Sequence, residues 1–556
     1  MIKQDIFTSI LKKKIKNFSK YPKEYEKIRF INGKIPGNPG KLDYNDSGWD
    51  IVTLPYKWNI DKDVWFRKKI IVPEKIKGIA IIDSKLEVGG YSNLFANVII
   101  AEGELFIDGQ KIFKENNWTD FRYRNLISSK VVPGEEHIVA FHFAQRKPYM
   151  DYYPRGLNAI EFHYSKIDDI IFEIESFIAE IEFSQILTNG KEIVDKILEE
   201  VEFDKLKNMP IKELLKLIDH IREKISVLRP LAKEYIINLI GHAHIDMNWL
   251  WEMDETTDVC KNTLSTALKL MNDFPNFCFS QSQAFIYALL EKKMPTIFKK
   301  IKKKVNEGNW EITASSWVEL DLNMVNGESI IRQILYAKKY IMEKFNTEPK
   351  VFWSPDTFGH PFTLPQILKK CGVDYYYFTR ASKKEIDLFW WEGIDGSRVL
   401  AFNSFYAGNL NSDILTETSH YYKKSMNIKE TMYVYGIGDH GGGPTYEDLR
   451  FIEKLREKSV FPKLKFSTIH NYFDTISKQD IDIPIEKDEF NPIFDGCYTT
   501  HWDTKLHNRM CERLLLAAET LSAVAGILGS SYTSLEEPWK ITLFNQFHDI
   551  LPGSAI

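Results

Sequence analysis

The stretch Gly241-His242-Ala243-His244-Ile245-Asp246 directly follows Tyr235-Ile236-Ile237-Asn238-Leu239-Ile240, a short apolar run that predicts a buried strand. His244 and Asp246 therefore lie just past a strand's carboxyl end, where α/β folds gather their chemistry. In an extended segment, side chains two apart share a side, so one imidazole nitrogen and one carboxylate oxygen can face one cation. That donor pair suits zinc or a similar borderline metal. Alone, such a triplet is ordinary surface polarity, but the arrangement recurs. Lys350-Val351-Phe352-Trp353 predicts a second strand running into Ser354-Pro355-Asp356-Thr357-Phe358-Gly359-His360. Thr431-Met432-Tyr433-Val434-Tyr435 predicts a third, leading into Gly436-Ile437-Gly438-Asp439-His440-Gly441-Gly442-Gly443-Pro444. Either Asp356 or Asp439 alone reads as the cap of a following helix. Three strands that each deliver an acid favour a site, and the glycines let backbone approach a bound group closely.

These blocks resemble the α-mannosidases of glycoside hydrolase family 38, of the cytosolic and bacterial type. The resemblance rests on His-Ala-His-Ile-Asp-Met-Asn-Trp-Leu-Trp at 242–251, Trp-Val-Glu-Leu-Asp at 317–321 and Gly-Glu-Ser-Ile-Ile-Arg-Gln at 327–333. It continues in Phe-Trp-Ser-Pro-Asp-Thr-Phe-Gly at 352–359, Trp-Trp-Glu-Gly-Ile-Asp-Gly-Ser at 390–397 and Phe-His-Asp-Ile-Leu-Pro-Gly-Ser at 547–554. The resemblance implies one zinc ion, with cobalt or manganese as alternatives, held by His244, Asp246, Asp356 and His548. By its residues alone, His548 reads rather as a satisfied histidine closing a helix. The resemblance further implies that Asp356 is the nucleophile of a retaining glycosidase and that Asp439 is the general acid/base. Such chemistry needs two carboxyl groups about 5–5.5 Å apart, one ionised and one protonated. A neighbouring cation would keep Asp356 ionised.

Trp249 and Phe358 resemble family positions that pack on the apolar face of a sugar, although core packing is the commoner fate of such rings. Arg380, at the end of Tyr375-Tyr376-Tyr377-Phe378-Thr379-Arg380, reads either as a residue that orients Asp356 or as a surface ion pair. His242, His360 and Asp549 are close enough in sequence to the ligands to support them without being ligands.

The elements that must position these groups follow from pattern. Residues 1–25 read as an amphipathic helix, and 26–176 as short alternating runs broken by Gly and Pro. Residues 1–176 are expected to form an N-terminal β-sandwich-like domain. Residues 177–234 read as a helical linker. Strands alternate with helices over 235–485, giving the irregular (β/α) barrel-like catalytic domain that the resemblance implies. Residues 486–556 are expected to be an incomplete helical bundle carrying one metal ligand. The fold class is thus multidomain α/β.

Composition agrees with an ordinary globular chain: 44% hydrophobic and 27% charged over 556 residues. A net charge of −4, without basic runs interleaved with aromatics, argues against nucleic acid as a partner. Cys260, Cys278, Cys371, Cys497 and Cys511 are scattered without ligand spacing, so reduced thiols are expected. No signal-peptide core or membrane span is evident, and a cytoplasmic location is expected. The chain ends eight residues after His548, where family members continue, so it reads as C-terminally truncated or as part of a split enzyme. An exposed apolar face on the 505–528 helix is expected with it, as is a partner: a separate C-terminal chain or a second copy. The function expected is metal-dependent hydrolysis of terminal α-mannosyl linkages in oligosaccharides or glycoconjugates. The alternatives are a remnant that binds metal or sugar without turnover and a metal-dependent carbohydrate deacetylase. The latter has no use for a glycosyl nucleophile at Asp356.

Overall fold

The computed structural model describes residues 3–18, 26–58, 63–91, 103–115, 125–143, 155–157, 159–381, 387–406, 408, 410, 428–438, 441–491, 494–531 and 533–556. The chain forms two compact units, Met1–Val227 and Leu228–Ile556.

In the first unit, β1 (Lys27–Asn32), β2 (Asp50–Thr53), β3 (Val64–Ile71), β4 (Gly103–Ile107), β5 (Gln110–Glu115) and β6 (Glu136–Phe143) form one antiparallel sheet in the order β2-β1-β3-β6-β4-β5. A second antiparallel sheet joins Asn125–Ser128, Leu86–Tyr91 and Ala159–Tyr164. Strand periodicity sends alternate side chains inward. Phe30, Phe66 and Phe141 from the larger sheet therefore share one core with Leu86, Val88 and Phe162 from the smaller. Helices α1 (Lys3–Phe18), α2 (Ser165–Ser184) and α3 (Ile211–Ile225) complete the unit. Phe7 of α1 meets Phe177 of α2 edge to face at 6.0 Å. Arg222 of α3 reaches the buried Glu180 of α2 at 2.7 Å.

The second unit is built on parallel strands. Its central strand, β7 (Ile236–His242), carries apolar residues on both faces, as a strand covered on both sides must. It pairs in parallel with β8 (Phe279–Gln281), which continues the sheet to β9 (Trp310–Ile312). A second set of strands comprises β10 (Val351–Ser354), β11 (Tyr375–Phe378), β12 (Leu388–Glu392) and β13 (Arg398–Asn403). The pairs β10-β11 and β11-β13 are parallel, and β12 pairs antiparallel to β13. The first sheet is completed by β14 (Glu430–Tyr435) and β15 (Lys463–Phe466), both parallel to β7. The two sheets share an apolar core in which Ile240, Met432 and Val434 meet Val351, Trp353, Tyr377 and Phe402. The bridge between Ala314 and Phe352 joins their edges.

Helices α4 (Met253–Asp273), α5 (Ala284–Lys293), α6 (Gly327–Phe345), α7 (Tyr446–Arg456) and α8 (Ile469–Ser477) follow strands of these sheets. Their starts are chemically marked. Asn326 caps α6 by accepting the Ser329 N–H at 2.8 Å, and Thr445 and Asp448 close a capping box on α7. Last come α9 (Trp502–Ile527) and α10 (Glu536–Phe544). Among the described residues, no helix is long and apolar enough to cross a membrane.

Candidate metal centre

Four parallel strands deliver a polar residue at the same offset. His244 lies two residues past β7, Gln283 two past β8, Asp356 two past β10 and Arg380 two past β11. Each parallel pair, β7 with β8 and β10 with β11, aligns its carboxyl ends along one edge, and the cluster gathers residues from both pairs. His548 arrives by a different route. Residues 319–321 and 546–548 run antiparallel, with Leu320 bridged to Phe547. The Asp321 N–H donates to the Gln546 carbonyl at 2.8 Å, and the His548 N–H to the Glu319 carbonyl at 3.1 Å. This two-rung ladder carries a residue from just after α10 into the same cluster.

His244, Asp246, Asp356 and His548 are all buried, and each offers one ligand atom within 4.8 Å of the other three. His244 Nε2 lies 2.9 Å from Asp246 Oδ1 and 3.8 Å from Asp356 Oδ2. His548 Nε2 lies 3.5 Å from Asp246 Oδ1 and 3.4 Å from Asp356 Oδ2. The Nδ1–H of His548 donates to the Glu319 carbonyl at 2.9 Å, which leaves Nε2 facing the carboxylates without a hydrogen-bond partner. Asp356 is gripped from the other side, where Arg380 Nε donates to its Oδ1. Arg380 in turn lies 5.8 Å from the Phe358 ring and 5.3 Å from the Phe494 ring. Phe358 sits 5.8 Å from the His548 ring.

The electrostatics follow from burial opposed by pairing. Burial pushes the His244 imidazole down, but Asp246 and Glu319 beside it hold it well above the usual range. His548 behaves likewise, raised by Asp246 and Asp356. Burial raises the Asp356 carboxyl, and His548, His244 and Arg380 outweigh it, holding the group below the ordinary carboxylate range. Asp246 is lowered in the same way, with His244 as the main opposing charge. Asp549 goes the other way: burial and the neighbouring carboxylates push it up to about 7. Its Oδ2 lies 3.6 Å from His548 Nε2, and its Oδ1 accepts from Ser554 Oγ at 2.5 Å.

Two further buried histidines are neutral by their hydrogen bonds. His242 donates from Nδ1 to the Ser280 carbonyl at 2.9 Å and accepts from Trp353 Nε1 at 3.0 Å. His360 accepts from the Tyr376 hydroxyl at Nδ1 and donates from Nε2 to the Arg380 carbonyl at 3.2 Å. Burial lowers both to about 3. Through its bond to the main chain at Arg380, His360 supports the residue that grips Asp356.

Of the residues singled out in the sequence, His244, Asp246, Asp356, His548, Phe358 and Arg380 are thus brought together. Trp249 is half-buried three residues beyond Asp246, edge-on to Trp251 at 5.7 Å. Asp439 and His440 lie outside the described residues. Next in the chain, Gly441 has φ +84°, and a Cβ on it would lie 2.2 Å from Val259 Cγ1. Pattern reading assigns no role to Glu319 or Gln283, although both are wholly buried against the cluster. The only signal for Glu319 is an acid flanked by Val318 and Leu320 within the 317–321 block.

The donor set fits a divalent cation. Two imidazole nitrogens and two carboxylate oxygens suit zinc and also accommodate cobalt or manganese. The unpartnered Nε2 of His548 is the buried orphan atom that a cation would satisfy.

Residues 234–496 match the Glycosyl hydrolases family 38 N-terminal domain, and residues 493–556 match the Alpha mannosidase middle domain. Together the two matches span more than half of the chain, which belongs to glycoside hydrolase family 38. Similar proteins include Alpha-mannosidase G of Dictyostelium discoideum, 34% identical over 328 residues, covering 57% of this chain and 30% of that one. Alpha-mannosidase 2C1 of Homo sapiens is 32% identical over 337 residues, covering 58% of this chain and 32% of its own. An alpha-mannosidase of Saccharomyces cerevisiae is 33% identical over 347 residues, covering 57% and 32%. This chain therefore spans about a third of the length of these relatives. The crystal structure of an alpha-mannosidase from Enterococcus faecalis V583 shares the fold, with a TM-score of 0.52 at 19% identity, covering 57% of this chain and 39% of that one.

Proposed function

We propose that residues 234–556 form the catalytic centre of a metal-dependent retaining α-mannosidase acting on terminal α-mannosyl linkages of oligosaccharides or glycoconjugates. The observation that carries this reading is the double placement of Asp356. One carboxylate oxygen lies among the ligand atoms of a buried two-histidine, two-aspartate cluster, and the other is held by Arg380. A carboxylate so paired is ionised and fixed in direction, as a nucleophile must be. Asp356 would attack the anomeric carbon, forming an ester as the glycosidic oxygen leaves with a proton from Asp439. Water, deprotonated by Asp439, would then hydrolyse that ester and restore the anomeric configuration. Bound zinc, or cobalt or manganese in its place, supplies positive charge for sugar hydroxyls beside the reacting carbon. Phe358 and Trp249 offer aromatic faces to the ring, and Arg380 keeps Asp356 aimed.

The same reading includes a cytoplasmic location, closure of the two sheets into an irregular barrel, and α9 with α10 as part of a helical bundle. It also includes domain divisions near 176, 234 and 485. A separate chain or a second copy would pack on the apolar residues exposed along α9.

The test is hydrolysis of an aryl α-mannoside by the metal-depleted chain, before and after zinc or cobalt is restored. Turnover is expected only with metal, and Asp356→Ala is expected to lower kcat by on the order of 10⁴-fold or more. Metal-independent turnover, or full activity in Asp356→Ala, would overturn the assignment.

A further inference from the structure

Glu319 touches three of the four ligands through three different atoms. Its Oε1 accepts the backbone N–H of Asp356 at 2.7 Å. Its Oε2 lies 3.3 Å from His244 Nδ1, and neither of those two buried atoms has a hydrogen-bond partner elsewhere or the geometry of a full hydrogen bond to the other. Its main-chain carbonyl takes both the backbone N–H and the Nδ1–H of His548, at 3.1 and 2.9 Å. The backbone N–H of Glu319 is itself held by Gln283 Oε1 at 3.1 Å, and Gln283 Nε2 donates to the Ile245 carbonyl, between His244 and Asp246, at 2.8 Å. Gln283 adopts φ +64°, a left-handed backbone that a side chain other than glycine's rarely takes. Such a conformation persists where the surroundings over-determine it. Gln283 and Glu319 thus connect the segments carrying all four ligands.

We infer that Glu319 is the positioning residue of the metal centre, setting which nitrogen of each histidine faces the ion. The inference rests on the metal reading above. A histidine ligand commonly donates its second ring N–H to a carboxylate or a carbonyl, which fixes its tautomer and orientation. Glu319 supplies both kinds of acceptor: the side-chain carboxylate for His244 and the main-chain carbonyl for His548. Both rings then present Nε2 to Asp246 and Asp356. The carboxylate cannot be replaced by its amide without loss. Asp356 N–H and His244 Nδ1–H each need an acceptor, and a glutamine side chain offers one acceptor oxygen and one donor nitrogen.

The test compares wild-type chain and Glu319→Gln by competition for zinc against a chromogenic chelator, without substrate. Near-UV circular dichroism of the metal-free proteins reports whether the variant keeps its packing. Glu319→Gln is expected to bind zinc 10–100-fold more weakly. Equal affinity in a folded variant overturns the positioning role while leaving the metal reading intact. Failure of the wild-type chain to bind zinc overturns both. Should the variant not fold, the wild-type chain alone decides. With ¹⁵N-labelled histidine and bound zinc, His244 and His548 are expected to carry the proton on Nδ1 and the metal on Nε2. A metal-bound Nδ1 on His244 overturns the inference.

Discussion

Within the Leu228–Ile556 unit, the loops that carry His244, Asp356 and His548 are held in the opposite way to α9. Each loop ligand is buried and held by a neighbouring polar group: the half-buried Arg380 and the buried Glu319 for Asp356, the Glu319 carbonyl for His548. In α9, Glu512 is the only buried side chain of 26 residues. Its Oε1 accepts the Asn326 N–H and the Ser329 hydroxyl, both at 2.9 Å, and Arg332 of α6 grips Glu519 at 2.6 Å. Leu514, Leu521 and Ile527 meanwhile stand 63%, 68% and 85% exposed. The cluster is held by polar contacts in a buried interior, whereas α9 is held through polar side chains, Glu512 and Glu519 among them, with large apolar side chains outward. Polar bonds alone can thus locate a helix, but only burial on every side fixes a ligand atom to the accuracy that catalysis needs.

The strongest break in the polar cradle comes at Arg380. Arg380→Leu removes the guanidinium and leaves one Asp356 oxygen unpaired in a buried site. Steady-state kinetics on an aryl α-mannoside are expected to show kcat lowered by about 10²–10³-fold, in line with truncating one partner of a buried charge pair. An unchanged kcat would mean that Asp356 is aimed by something other than this pair.

A subtler probe of the same cradle is pH. His360 is lowered to about 3 by burial, while its unfolded value lies near the ordinary 6.5. The neutral ring is therefore the folded form, and the unfolded chain takes up a proton first as acid is added. The contribution of His360 to stability is complete above pH 6.5 and is lost as pH falls toward 3. The loss amounts to about 1.4 kcal/mol for each pH unit within that window. Urea unfolding of wild type and His360→Gln at pH 7, 6 and 5 should show the stability difference between them shrinking by that amount per unit below 6.5. A pH-independent difference would mean that the His360 ring is not held neutral.

How much of this was legible in sequence depends on how local each cause is. His244, Asp356 and Arg380 were accessible because a short apolar run ending in polar residues marks a strand's carboxyl end. The parallel pairing of β10 with β11, and the core that their sheet shares with the sheet of β7, then do the rest. His548 was not accessible that way. Its place depends on pairing between 319–321 and 546–548, more than two hundred residues apart, and only the family resemblance pointed to it. Glu319 escaped because it sits in the loop between β9 and α6, where no strand-end offset singles it out. The unit boundary at Val227 carries no Pro-, Gly- or Ser-rich marker. The helices before it read as a linker by pattern; Phe177 meets Phe7 of α1, and Arg222 pairs with Glu180 of α2. The exposed apolar residues of α9 were legible, since helical spacing shows the stripe regardless of what covers it.

That stripe gives the smallest expected effect. Leucine and glutamate differ little in helix propensity, and Leu521 lies far into solvent, so Leu521→Glu removes little burial and strains no backbone. Unfolding free energy is expected to change by less than about 0.5 kcal/mol, the usual range for exposed sites. Truncating a buried leucine would instead cost about 2–5 kcal/mol. Chemical denaturation of the two proteins at matched concentration measures the difference. A loss well above 1 kcal/mol that grows with protein concentration would show that Leu521 is covered in solution by a second copy. In that case α9 would be held by burial as well, and its contrast with the metal centre would be one of partner rather than of principle.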